Sequence, residues 1–162
     1  MVLWFIGTSF LAVWLVFRDP AIDLRVVAVG SLVPDLVDVW SGGRWFAHTI
    51  TFSALLLAVV MVGTRHRRRL RRRLVFLPVG CLLHLVFDGM WADRTGFWWP
   101  FLGGHLGGRS LPSVDRGLGA DLVLEAVGTV ILLWAWRRFR LAEPERRRRL
   151  LTTGRLSRDL VG

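Results

Sequence analysis

Two blocks of arginine divide long apolar stretches, and this segregation constrains the fold more than any other feature of the chain. Residues 65–73 hold seven arginines and residues 137–158 hold nine, and all 22 basic residues are arginine. Around these blocks run the apolar segments 1–17, 26–40, 46–64, 74–91 and 120–136. A chain that is 53% hydrophobic and still carries a net charge of +10 keeps both only by separating them along its length. That is the layout of a polytopic membrane protein with its basic loops on one side. The expected class is all-α, a multi-pass transmembrane helical bundle of four to five segments, the second short and broken. Residues 1–141 form one membrane-embedded domain, and 142–162 a basic cytoplasmic tail.

The charge by itself would also suit nucleic acid. However, the arginine blocks directly flank apolar segments and carry no interleaved aromatics on which bases could stack. No nucleic-acid partner is expected. The expected partners are the bilayer and anionic lipid headgroups, met by the arginine-rich loop and tail at about 1 kcal/mol per well-placed arginine. The single cysteine, Cys81, excludes an intrachain disulfide and reads as a small packing residue.

Segment by segment, Arg18-Asp19-Pro20 ends the first run, because proline cannot continue the helical ladder. The run 26–40 is interrupted by Gly30, Pro34, Asp35 and Asp38. Such a broken segment is tolerated in a membrane where it is buried in protein or lines a wet cavity. Residues 92–119 form a Gly-, Pro- and Trp-rich loop. Placing both arginine blocks in the cytoplasm puts the N-terminus outside and satisfies the parity of all five segments. Asp38, His48, His84, Asp88, Asp121 and Glu125 then gather toward the extracytoplasmic face. Trp40, Trp45, Trp91, Trp98 and Trp99 mark that interface as an aromatic belt.

An ionised side chain at the bilayer centre costs about 2.5–3.5 kcal/mol on insertion scales, so these residues need compensation. Asp35 and Asp38 are three apart, so they share a helix face or flank a break, and His84 and Asp88, four apart, share a face. Clustered carboxylates repel unless some protonate or a cation lies among them. Two histidines with several aspartates suit a divalent metal, Zn²⁺ first and Mn²⁺ as the alternative. The expected ligands are Asp35, Asp38, His48, His84 and Asp88. Asp35, His84 and Asp88 are also the expected water-activating groups, and Arg44 the anion-binding electrophile.

Each residue also has a structural use. Asp35 and Asp38 could cap a helix after Pro34 or pair with Arg44. His84 could bond a backbone carbonyl, and Asp88 could cap the turn at Gly89. Asp121 suits a helix N-terminus. Glu125 divides evenly between site and structure. His66 lies in the arginine run and reads as solvated. His105, in Gly-Gly-His-Leu-Gly-Gly, is an extra ligand or lid candidate.

The run Gly30-Ser31-Leu32-Val33-Pro34-Asp35-Leu36-Val37-Asp38, then Arg44-x-x-x-His48-Thr49, then His84-x-x-x-Asp88 with Gly96 and Trp99-Pro100-Phe101, resembles three ordered blocks. They are those of a family of inner-membrane-associated, metal-dependent hydrolases described as LexA-binding. The resemblance covers about residues 26–101 and implies metal-dependent hydrolysis at an inner-membrane site. This chain departs from the family pattern in having Thr8-Ser9-Phe10 where a histidine is usual. Gly43 replaces the histidine before the arginine, Ala47 the threonine before His48, and Trp91 a threonine after the aspartate. Fewer histidines imply one metal instead of two, or a site without activity.

The sequence thus reads as a membrane-bound, metal-dependent hydrolase of an ester or phosphoester in a lipid or envelope substrate. The alternatives that use the same cluster are a non-catalytic membrane scaffold and an ion or proton pathway.

Overall fold

A computed structural model of the chain describes residues 1–39, 45–102 and 117–157. Among these residues all regular structure is helical. Arg44, Trp40 and His105 lie outside them, so the electrophile and lid expectations find no geometry here.

The first apolar run is helix α1, Val2–Phe17, closed by Arg18 in the left-handed region at φ 47° and followed by Pro20. The broken second segment is two short helices, α2 (Leu24–Gly30) and α3 (Val33–Asp38), with Pro34 in the first turn of α3. Proline fits there because the first turn needs no intrahelical N–H donor. A 3₁₀ turn over Phe46–His48 precedes α4, Ile50–Gly63. The helix therefore starts later than the apolar run, at an N-cap where Thr49 accepts the Phe52 N–H. His48 consequently sits on the turn before the helix. The first arginine block forms α5, Arg68–Leu74, which leads into α6, Phe76–Phe87. Gly89, at φ 77°, turns the chain into a 3₁₀ turn and α7, Arg94–Phe97. Helix α8 spans Gly117–Arg138 and α9 spans Pro144–Thr153.

Of these, α8 alone among the described residues has both the length and the apolarity to cross a membrane, while α1 and α4 are shorter apolar helices. At about 1.5 Å rise per residue, α8 reaches about 33 Å, enough for a hydrocarbon core of about 30 Å. Its Leu118, Leu122, Val123, Val130 and Leu133 are all exposed. So are Val16 on α1 and Val59 and Val62 on α4. Apolar surface on this scale marks contact with a membrane or a partner.

Two backbone crossings set the packing. On α2 and α6, a Cβ added to Gly80 would lie 2.5 Å from the Val27 carbonyl oxygen, and one added to Gly30 would lie 2.3 Å from that of Leu77. On α1 and α8, a Cβ at Gly128 would meet the Trp4 nitrogen at 2.4 Å. Small residues at such crossings let helices approach where lipid provides no hydrophobic drive for association. Gly80 thus leaves room for a neighbouring backbone one turn below His84.

The paired residues fix helix directions. Helix α1 lies parallel to α8, with the Leu3 N–H donating to Glu125 Oε2 at 3.0 Å and Trp14 edge-on to Phe139 at 4.7 Å. Glu125 therefore serves the first turn of α1. Helix α6 runs the opposite way to α1, with Phe17 against Phe76 at 5.5 Å and the Trp4 indole donating to the Phe87 carbonyl. The molecule consequently has two ends. One collects Arg25, α5 and α9; the other collects α3, the 46–48 turn and the C-terminal half of α6.

At the arginine end, the tail folds back onto the helices. Phe139, Leu141, Leu156 and Ala135 form a core against Phe10, Trp14 and Leu24. The Leu24 N–H donates to the Gly154 carbonyl at 2.8 Å, and the Leu156 N–H to that of Pro20 at 3.1 Å. Arg25 Nη1 donates to the carbonyls of Leu151 and Thr152, each at 2.9 Å, supplying donors to the otherwise unpaired end of α9.

Candidate metal centre

The broken segment brings its two aspartates to different places. Asp38, at the last position of α3, is fully buried and accepts hydrogen bonds from the 45–48 turn. The Trp45 N–H donates at 2.8 Å, the Ala47 N–H at 3.2 Å and His48 Nδ1 at 2.6 Å. It orients His48 from the Nδ1 side of the ring and closes the turn. Asp35, one turn earlier and partly exposed, is on the other side of that ring. Its Oδ1 lies 3.4 Å from His48 Nε2 and 3.4 Å from His84 Nε2.

His84 is buried on α6 between two supports. Its Nδ1 lies 2.7 Å from the Ser31 carbonyl oxygen, an atom that only accepts, so Nδ1 carries the proton and donates. The Phe5 ring packs against the imidazole with centroids 3.9 Å apart. With Nδ1 protonated, the neutral ring presents a bare lone pair at Nε2. His48 donates from Nδ1 to a carboxylate, and its Nε2 likewise faces Asp35. Both Nε2 atoms are buried and find no hydrogen-bond partner among the described residues. The structural expectation for His84, a bond to a backbone carbonyl, therefore holds for one ring nitrogen and leaves the other unused.

One ligand atom each from Asp35, His48 and His84 lies within 4.8 Å of the others. Three such atoms repel at that range unless a proton or a metal cation lies among them. The 3.4 Å separations exceed the about 2.7–2.9 Å of a charge-assisted N–H···O bond. These two separations match the edge of a tetrahedron whose corners are about 2.0–2.2 Å from a central Zn²⁺, about 3.3–3.6 Å. The donor set, two imidazoles and one carboxylate, is that of open zinc sites with three protein ligands. The residues present therefore fit a single divalent ion. The Nδ1 partners Asp38 and Ser31 are the outer supports that metal-binding histidines require.

Of the five expected ligands, the structure brings three together. Asp88 is buried at the C-cap of α6, where its backbone N–H donates to the His84 carbonyl; it is not in the converging set. Asp121 lies within α8, outside the converging set too. The sequence reading missed Ser31 and Phe5 as the supports of His84. Ser31 stands inside the Gly30–Asp38 block, where its carbonyl is freed by the break between α2 and α3. Nothing in the spacing of Phe5 singled it out.

Two buried histidines converging with a partly exposed aspartate, in an all-helical chain with large exposed apolar faces, define a class, a membrane protein with a polar His/Asp pocket. The sequence matches the YdjM inner membrane protein family over residues 2–147, and the chain belongs to that family. No match was found among curated proteins or among solved structures.

Proposed function

We propose that the protein is a multi-pass, membrane-bound, metal-dependent hydrolase acting on an ester or phosphoester of a lipid or envelope substrate. The observation that carries this reading is the pair of buried Nε2 atoms aimed at one oxygen of Asp35, neither with a hydrogen-bond partner among the described residues. A cluster that served only to hold helices together would pair those nitrogens, because an unsatisfied buried polar atom costs about 1–3 kcal/mol. His48, His84 and Asp35 would hold the ion, with Asp38 and Ser31 fixing the two imidazoles. Bound there, Zn²⁺ or Mn²⁺ supplies Lewis acidity and lowers the pKa of water to about 7.

The chain's own groups divide the remaining work. Asp35 is the partly exposed member of the three, and so is the side chain placed to take a proton from an approaching water. The histidines are committed through Nδ1 and cannot turn to do so. Trp45, Trp91 and Trp98 are exposed near this end of the molecule. Such rings favour the headgroup level of a bilayer and suit an amphiphilic substrate. The arginine end then faces the cytoplasm and the histidine end the opposite side.

Purified protein in detergent should release phosphate or fatty acid from lipid esters or phosphoesters. Chelation should abolish this, Zn²⁺ or Mn²⁺ should restore it, and Asp35→Asn should lower the rate at least about 100-fold. Metal-independent turnover, or none with either bond type, would contradict the reading.

A further inference from the structure

The arginine end contains a cavity of about 570 Å³ lined by Arg69, Arg72, Arg73 and Arg155 together with Asp19 and Asp23, with Ile22 and Phe76 among its apolar walls. Its carboxylates are already engaged. Asp23 takes Arg73 Nε at 2.7 Å and Arg25 Nη2 at 3.1 Å, and Asp19 accepts the Ala21 N–H at 2.8 Å. Arg69, Arg72 and Arg155 make no ion pair among the described residues. Three guanidiniums without an ion pair among the described residues, from two separate parts of the chain, therefore line one concave space and outnumber its one carboxylate without an ion pair, Asp19.

We propose that this cavity binds the phosphate of an anionic phospholipid headgroup in the leaflet at the arginine end. Arg69 and Arg72 are three apart on α5, so their side chains share a face, and Arg155 approaches from the returning tail. Guanidinium forks match phosphate oxygens in geometry as well as charge. The apolar wall selects a lipid over a soluble anion. Phe76 opens the apolar helix α6 and packs on Phe17, so acyl chains leaving the headgroup would run along helices already suited to lipid. Juxtamembrane basic pockets between helices are where such headgroups bind. The tail, tied to Leu24 and Pro20 by backbone hydrogen bonds, completes the site by delivering Arg155.

The test uses the full chain in detergent, with thermal unfolding and native mass spectrometry as readouts. The added probes are phosphatidic acid, cardiolipin, phosphatidylcholine and inorganic phosphate. The anionic lipids should bind and raise the unfolding temperature, while phosphatidylcholine and inorganic phosphate should not. The triple variant Arg69→Gln, Arg72→Gln, Arg155→Gln should bind the anionic lipids at least about tenfold more weakly. A control triple, Arg147→Gln, Arg148→Gln, Arg149→Gln, removes the same charge from exposed positions of α9 outside the cavity and should keep most of the affinity. Arg73 is left intact because it pairs with Asp23, and helix content by circular dichroism verifies folding of both variants. Equal loss in the two triples would overturn the proposal by showing diffuse attraction. Equal stabilisation by inorganic phosphate would overturn the lipid assignment.

Discussion

Both ends of the molecule bury an aspartate, and the two are compensated in opposite ways. Asp23, at the arginine end, is 4% exposed. It caps α2 through the Arg25 N–H and is ion-paired to Arg25 and Arg73. Burial by itself would raise its carboxyl pKa, but the Arg25 hydrogen bond and the Arg25 and Arg73 charges outweigh burial and hold it below the usual carboxylate range. Its donors close locally, and Arg25 passes on to cap α9. Asp38, at the other end, is wholly buried and carries its partner's orientation outward: it holds His48 so that the far nitrogen points at Asp35. The first arrangement consumes its polar atoms; the second leaves two of them for something else. The Asp23 arrangement therefore holds the tail, and the Asp38 arrangement leaves two ring nitrogens facing Asp35.

The contrast breaks if substitutions at one end behave like those at the other. The largest expected effect is on metal affinity. His48→Ala or His84→Ala should weaken Zn²⁺ binding by more than about 100-fold in a competing-chelator titration, since each removes a ligand where loss of an outer partner alone costs about 10–100-fold. Asp38→Asn keeps the volume but weakens the hold on His48, and should fall within that 10–100-fold range. Equal losses for Asp38→Asn and His48→Ala would mean that Asp38 is itself a ligand.

A smaller effect, on stability, belongs to the arginine end. Asp23→Ala removes a cap and charged hydrogen bonds, and should cost about 1–3 kcal/mol in detergent unfolding, with metal affinity unchanged. The smallest is its pH dependence. Because the folded carboxyl lies below its unfolded value of about 3.9, the pair's contribution is fully present above about pH 4. It is lost as pH falls through the lowered folded value. Wild type should therefore lose stability on acidification more steeply than Asp23→Asn; parallel curves would show that the pair contributes little.

Much of this organisation was legible in the sequence because it rests on spacing. The arginine blocks mark one end, and Arg18-Asp19-Pro20 and Pro34 mark helix boundaries. Asp35, His48 and His84 stand out as ionisable groups within apolar runs. The choice among the aspartates was not legible. Asp35 and Asp38 are equally spaced candidates, and only the turn at 45–48, which aims two backbone N–H groups at Asp38, tells their surroundings apart. Asp88 shares a helical spacing with His84, yet α6 ends at Phe87 and Gly89 redirects the chain. Helix lengths also differ from the apolar runs. Segment 74–91 contains a helix of 12 residues, because hydrophobicity continues through the turns that follow it. The tail's return depended on Arg25 reaching carbonyls more than a hundred residues away, a contact no local pattern encodes.

Elemental analysis of the purified full chain, equilibrated with Zn²⁺ against a competing chelator, tests the histidine end most directly. The expected result is about one ion per chain, as for a site of three protein ligands. It should be retained in Asp23→Ala and absent in the His48→Ala, His84→Ala double variant. Protein that takes up no divalent metal, or a double variant with unchanged metal content, would contradict it.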